Sequence, residues 1–352
     1  MTKFRSTFVA LTLFLLAGAG CLGGDSTTTA ASGGIWVSDN QGASWTPKNA
    51  LPLSSGTGSI NGLDVLALEQ DPSDDTVLYL GSKTSGLFYT YDQGESWMRP
   101  EAQLAASGSV LAIEVDPRNV CTYYLLKADR LLKTTTCGRE FDTDTYVETR
   151  TDEALTALAL DWYNPETLYL GNTEGDVLRS LDGGATWTAV ARHRNAVVDI
   201  LVSNSDSRIV IAGTLSGGVF RSVDGGAVWV SLKDSMSELK NSHKVLGFSQ
   251  TDDGARVLMH SGYGLAISDD QAASWQGISL VSASGDGIAA AEISPQNKEL
   301  FYYASGATFY TSTSGGDAWS TATLPTTRAA SVIHVDESNP ERIYLGGVTI
   351  DD

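Results

Sequence analysis

The chain has 352 residues, with 36 glycines, 13 tyrosines and a formal net charge of -19. That length allows one large or two ordinary domains, and the glycine and tyrosine content with few long helical patterns indicates an all-β protein. So acidic a surface repels phosphate backbones, which argues against nucleic acid as a partner, and it disfavours electrostatic docking on anionic lipid.

At the N-terminus, Lys3 and Arg5 precede an apolar run at 8–17. Spanning a bilayer takes roughly 20 apolar residues, so this shorter run suits a signal peptide over residues 1–20. Small residues Gly18, Ala19 and Gly20 then lead to Cys21. The arrangement resembles the bacterial lipoprotein signal, with Gly18 where that signal prefers Leu. The resemblance implies acylation of Cys21, attachment to the membrane through that lipid alone, and a place in the cell envelope, periplasmic or on the surface. Cleavage without acylation is the alternative. Residues 21–33 have no apolar periodicity and read as a flexible tether, leaving residues 34–352 as the folded domain.

An eight-residue pattern, Ser/Thr-x-Asp-x-Gly-x-x-Trp, then recurs along the chain. The clear copies start at Ser38 (with Gly42 and Trp45), Thr90 (Asp92, Gly94, Trp97), Ser180 (Asp182, Gly184, Trp187) and Ser222 (Asp224, Gly226, Trp229). Weaker copies start at Ser268 (Asp270, Trp275) and Ser312 (Gly316, Trp319), and a worn one at Thr134 (Gly138, Phe141). Start-to-start spacings are 52, 44, 46, 42, 46 and 44 residues, and six of the eight tryptophans fall on the last position.

In step with the boxes runs a second pattern: an apolar strand, a turn, a Tyr/Leu-rich strand, and a short third strand that enters the box. Four strands per period of this length is the signature of a β-propeller. Seven boxes and seven strand pairs, starting near 65, 110, 155, 197, 244, 288 and 331, predict seven four-stranded antiparallel blades. The chain opens with a third strand and its box and closes with a first and second strand. The last blade is therefore predicted to be shared by both termini, with the N-terminal strands outside the C-terminal ones, which hides sheet edges.

The repeat resembles the bacterial neuraminidase (Asp-box, BNR) repeat over residues 34–347, in which the box is a structural turn between the third and fourth strands. The physical reason is local. Ser and Asp side chains accept from the unpaired amides of a tight turn, glycine supplies a positive φ, and Trp folds beneath. Asp92, Asp182, Asp224 and Asp270 are therefore read as structural, spread around one rim rather than gathered for catalysis. Cys121 begins the second strand and Cys137 lies in the box of the same blade. Export makes the pair a disulfide candidate.

Catalytic and metal motifs are missing from the sequence. His193, His243, His260 and His334 sit in different blades, without H-E-x-x-H or Cys-x-x-Cys spacing, so no metal and no cofactor is expected. Sialidases share the boxes but need three arginines, a Tyr–Glu pair and a Phe-Arg-Ile-Pro segment; Arg179 and Arg221 instead precede boxes and read as ladder residues with exposed heads. Xyloglucanase-type glycosidases use two facing seven-bladed propellers with a catalytic Asp from each. This chain has one ring, with KTSG at 83–86 and a lone acidic loop at Glu174 and Asp176. The sortilin ectodomain and the photosystem II assembly factors are noncatalytic relatives in kind that bind polypeptide.

The reading is a noncatalytic envelope lipoprotein, monomeric, offering its propeller to an envelope protein. The alternative is a carbohydrate-binding or glycoside hydrolase-like propeller. Binding is expected on the rim opposite the boxes, where residues 46–63 form the longest inter-blade loop, with Trp162 and Tyr263 as aromatic candidates.

Overall fold

Alternating apolar runs bounded by Asn, Asp, Gly and Pro become strands, and the period of the runs sets the ring. The computed structural model describes residues 32–281 and 287–350; the expected signal peptide, Cys21 and nearly all of the expected tether lie outside the described residues. The described chain forms a seven-bladed β-propeller of antiparallel sheets without α-helix. The first, innermost strands are Val65–Asp71, Ala112–Val115, Leu155–Leu160, Val197–Val202, Val245–Gln250, Ile288–Ile293 and Ala329–Val335. They open blades 1 to 7 in that order.

Blade 7 combines both ends of the chain. Its two inner strands, Ala329–Val335 and Ile343–Val348, are C-terminal, and its two outer strands, Ile35–Ser38 and Thr46–Pro47, are N-terminal. Ile35 pairs with Gly346 and Ser38 with Ile343. Ion pairs reinforce the closure, joining Arg342 to Asp39 and Arg328 to Asp64. Two details depart from the simple repeat. Residues 46–63 are not a plain loop, because Ala50–Leu53 and Gly56–Ser59 pair as a hairpin. In blade 1 the fourth strand shrinks to a single bridge between Tyr89 and Met98, and Pro100 soon after cannot donate to a ladder.

Packing follows the blade interfaces. Seven apolar clusters are present, one between each pair of successive blades. Two devices bring the blades close. Six of the seven first strands carry a register shift near their start, and such bulges sharpen twist. Second, Gly81, Gly171, Gly213 and Gly346 on second strands face the next blade. A Cβ on them would lie 2.5–2.9 Å from side-chain carbons of Val110, Val197, Val245 and Val65. Blade 5 inverts the solution: His260 takes the glycine place, and Gly247 on its first strand leaves room for the imidazole.

Candidate functional site

Along each blade the first strand runs toward one rim and turns there into the second; the third strand reaches the same rim and turns through the box. Both turns therefore share a rim. In all seven boxes the first hydroxyl accepts from the fifth residue's amide, at 2.8–3.1 Å. In all seven the third side chain accepts from the seventh residue's amide, at 2.8–3.0 Å. Asn40, Thr136 and Ser314 fill the Asp role, which is why the worn boxes keep the same turn. These bonds hold the carboxyls of Asp92, Asp182, Asp224 and Asp270 below the usual range, Asp182 at about 2 with its Thr186 hydroxyl bond as the largest cause. The sequence reading credited a positive φ only to the fifth position. The fourth has one too, as at Gln41, Gln93 and Gln271.

The box tryptophans are less uniformly buried than the motif suggests. Trp97 is fully buried, while Trp45, Trp187, Trp229, Trp275 and Trp319 are half-buried. Trp97, Trp187 and Trp319 donate their indole N–H to carbonyls of the preceding blade, at Lys48, Thr145 and Ser279. The heads of Arg179 and Arg221 are not free: they donate to carbonyls of Gly225 and Gln271 in the next blade's box. The boxes thus stitch neighbouring blades. Cys121 and Cys137 form a disulfide, and the Cys137 amide also donates to the Cys121 carbonyl. Asp176 is consumed by hydrogen bonds from Arg150 and Arg192.

The convergent residues lie elsewhere, in the central channel. On the first strands of blades 1, 2 and 6 the same offset holds Glu69, Glu114 and Glu292, and Asp199 of blade 4 joins them on the channel wall. All four are half-buried. Burial, with the neighbouring carboxylates second, pushes Glu114 up to about 8 and lifts Glu69 well above its ordinary value. Burial raises Asp199 to about 7, and burial, with the Asp199 carboxylate second, lifts Glu292 well above its ordinary value. Burial also pushes His260 and His334 down to about 4, so both rings are neutral at pH 7.

At the box rim the channel opens into a cavity of about 660 Å³ lined by Glu69, Asp71, Asp74, Asp75, Asp252, Glu292 and Glu337, with no Lys or Arg on its wall. Glu337 is pushed up to about 7 by burial and then by Asp252. Trp162, 43% exposed, stands on the same wall. Gln70 fixes the blade 7 side: its Oε1 accepts from the Glu337 amide at 2.9 Å and lies 3.2 Å from His334 Nε2. Among the described residues no cluster of His, Cys, Asp or Glu is placed to hold a metal ion.

Of the two aromatic candidates, Trp162 lies at this mouth, on the box rim, while Tyr263 lies on the opposite rim, 36% exposed. Sequence reasoning missed the channel acids. The available signal was a glutamate interrupting an apolar strand at the same offset in three blades.

No protein-family model and no curated protein matches the sequence. Among solved structures, an ancestral GH74 enzyme is similar at 15% identity and TM-score 0.65, over 86% of this chain and 46% of that one. The GH74 xyloglucanase from Xanthomonas campestris is similar at 16% identity and TM-score 0.63, over 81% of this chain and 51% of that one. The chain thus spans about half the length of these enzymes. A structure of YCF48 bound to D1 peptide is similar at 18% identity and TM-score 0.61, over 82% of this chain and 94% of that one. At these identities the likeness concerns architecture: the chain shares the β-propeller fold with GH74 enzymes and with YCF48.

Proposed function

We propose that this chain is a noncatalytic, exported binding module of the Asp-box kind, held in the bacterial envelope by lipid on Cys21, that docks a basic polypeptide segment at the acidic mouth of its channel. The observation that carries this reading is the mouth itself: seven acidic side chains and an exposed Trp162, with no Lys or Arg on the wall. Some acids elsewhere are answered by arginine, as at Asp64, Asp176 and Asp269. A cationic side chain entering the mouth would find complementary charge and an aromatic face. The peptide in the YCF48 structure supports polypeptide as the partner class for a ring of this size. The rim is the box rim, not the one favoured from sequence.

Crosslinking on native membranes followed by mass spectrometry tests the proposal. A stoichiometric protein partner whose crosslinks map around Glu337 and Trp162 supports it. Recovery of the propeller alone, with a carbohydrate-dependent melting shift, would transfer the reading to the carbohydrate alternative. That alternative rests on one observation, the acids at Glu114 and Asp199 held protonated into the neutral range, which is the state a general acid needs.

A further inference from the structure

The lysines and arginines of this acidic chain are mostly committed. Arg150, Arg192, Arg256 and Arg342 are in ion pairs, and Lys127, Lys133, Arg179 and Arg221 donate to backbone carbonyls. Arg194, Lys233, Lys240 and Lys244 have neither an ion pair nor a side-chain hydrogen bond among the described residues; outside this group only Arg139 and Lys298 share that state. These four uncommitted cations fall on two adjacent connections, between blades 3 and 4 and between blades 4 and 5, on the rim opposite the boxes.

Between those connections lies a cavity of about 620 Å³, with Lys233, Lys240, His243, Asn195 and Asn241 on its wall and Asp234 as its one carboxylate. Its frame is built rather than loose. Leu232 and Met236 are buried and plug the connection into the core between blades 4 and 5. Backbone bonds from Leu232 to Val219 and from Gly218 to His243 tie both ends of the connection to the third strand of blade 4. Asn195 is held from the other side by Ser216. With the backbone fixed, the lysines remain at the rim with no internal partner, and Val219, Met236 and Leu239 give the cavity an apolar floor.

We propose that this cavity is a binding site for a small hydroxylated anion, its carboxylate or phosphate group meeting Lys233 and Lys240 and its hydroxyls meeting Asn195 and Asn241. A cation gathered from a protein of net charge -19 gains most from an anion it does not otherwise have. The amides and the apolar floor suit the polar edge and the carbon face of a sugar-sized molecule. The site is separate from the acidic mouth, on the opposite rim, and stands whether or not the mouth takes a peptide.

Calorimetric titration of the full chain at low salt, with glucuronate, glucose 6-phosphate and neutral glucose, tests it. One-to-one binding of glucuronate, of glucose 6-phosphate or of both, with no binding of glucose, is expected, and the better of the two tells carboxylate from phosphate. The Lys233→Gln/Lys240→Gln variant removes two charge-assisted contacts and is expected to bind at least about tenfold more weakly. Arg139→Gln/Lys298→Gln, which changes the net charge equally, is expected to bind as the parent does. All changed side chains are solvent-facing, and an unchanged melting temperature without ligand verifies the fold. Absence of heat with both anions at millimolar concentration, equal binding of glucose, or equal loss in both double variants would overturn the proposal.

Discussion

Trp97 is the side chain whose removal should cost the ring most. It is fully buried in the cluster joining blade 7 to blade 1, beside Ile35, Ile60, Val65, Leu78 and Tyr344. Its indole donates to the Lys48 carbonyl at 2.8 Å and its amide to the Ala50 carbonyl at 2.8 Å. It therefore holds the N-terminal strands against the rest of the ring. Deleting a buried Trp costs about 3–5 kcal/mol. Trp97→Phe keeps most of the apolar contact but strands the Lys48 carbonyl, a loss of about 1–3 kcal/mol. Trp275 is the internal control, because it is half-buried and its Nε1 has no partner; its alanine variant should lose only about 1–2 kcal/mol. Urea unfolding measures all three, and amide exchange at 35–38 should accelerate first in Trp97→Ala. Equal losses in Trp97→Ala and Trp275→Ala would refute the closure role given to Trp97.

Acidification from pH 8 toward 6.5 should raise the melting temperature. Glu114, Asp199 and Glu337 have folded values of about 8, 7 and 7, above their ordinary ones. Their contribution is therefore fully present below the ordinary carboxylate range and is lost as pH rises through 7 to 8. Below about 6.5 the buried histidines, which resist protonation in the fold, oppose the trend. Glu114→Gln should flatten the slope above pH 6.5, and a melting temperature that rises with pH there would contradict the burial of these acids. Reduction of Cys121–Cys137, which closes a separation of 16 residues, should lower stability by about 3 kcal/mol, read by denaturation with and without reductant after mass spectrometry has verified the thiols. Ser222→Ala leaves the buried Gly226 amide, now bonded at 2.8 Å, without an acceptor; a loss of about 1–3 kcal/mol is expected by thermal or urea unfolding.

The fold was legible because each box is local chemistry. A hydroxyl, a short acceptor, a glycine and a Trp within eight residues specify a turn without any distant information, and counting them sets the ring. The shared last blade followed from strand phase at the two ends. Other features needed the closed ring. Glu69 and Glu292 are far apart in sequence and meet only because blades 1 and 6 face one channel. Gly81 and Gly213 looked like ordinary strand glycines until the next blade's valine was seen against them. The hairpin at 50–59 was hidden because its Pro52, Gly56 and Gly58 resemble loop residues, and the arginines before the boxes hid their partners in the next blade. Trp162 was singled out as an aromatic near a turn, but its rim could be assigned only from strand direction.

The most direct measurement is a fluorescence titration of the full chain with a short lysine- and arginine-rich peptide, following Trp162 against a Trp162→Phe variant, with Asp74→Asn/Asp75→Asn, two acids of the mouth, as the test of the site. The expected result is saturable one-to-one binding that shifts Trp162 emission, weakens with salt, and falls at least about tenfold in the double variant. Unchanged affinity in the double variant, or equal binding of a charge-reversed acidic peptide, would contradict the assignment of the channel mouth as the docking site.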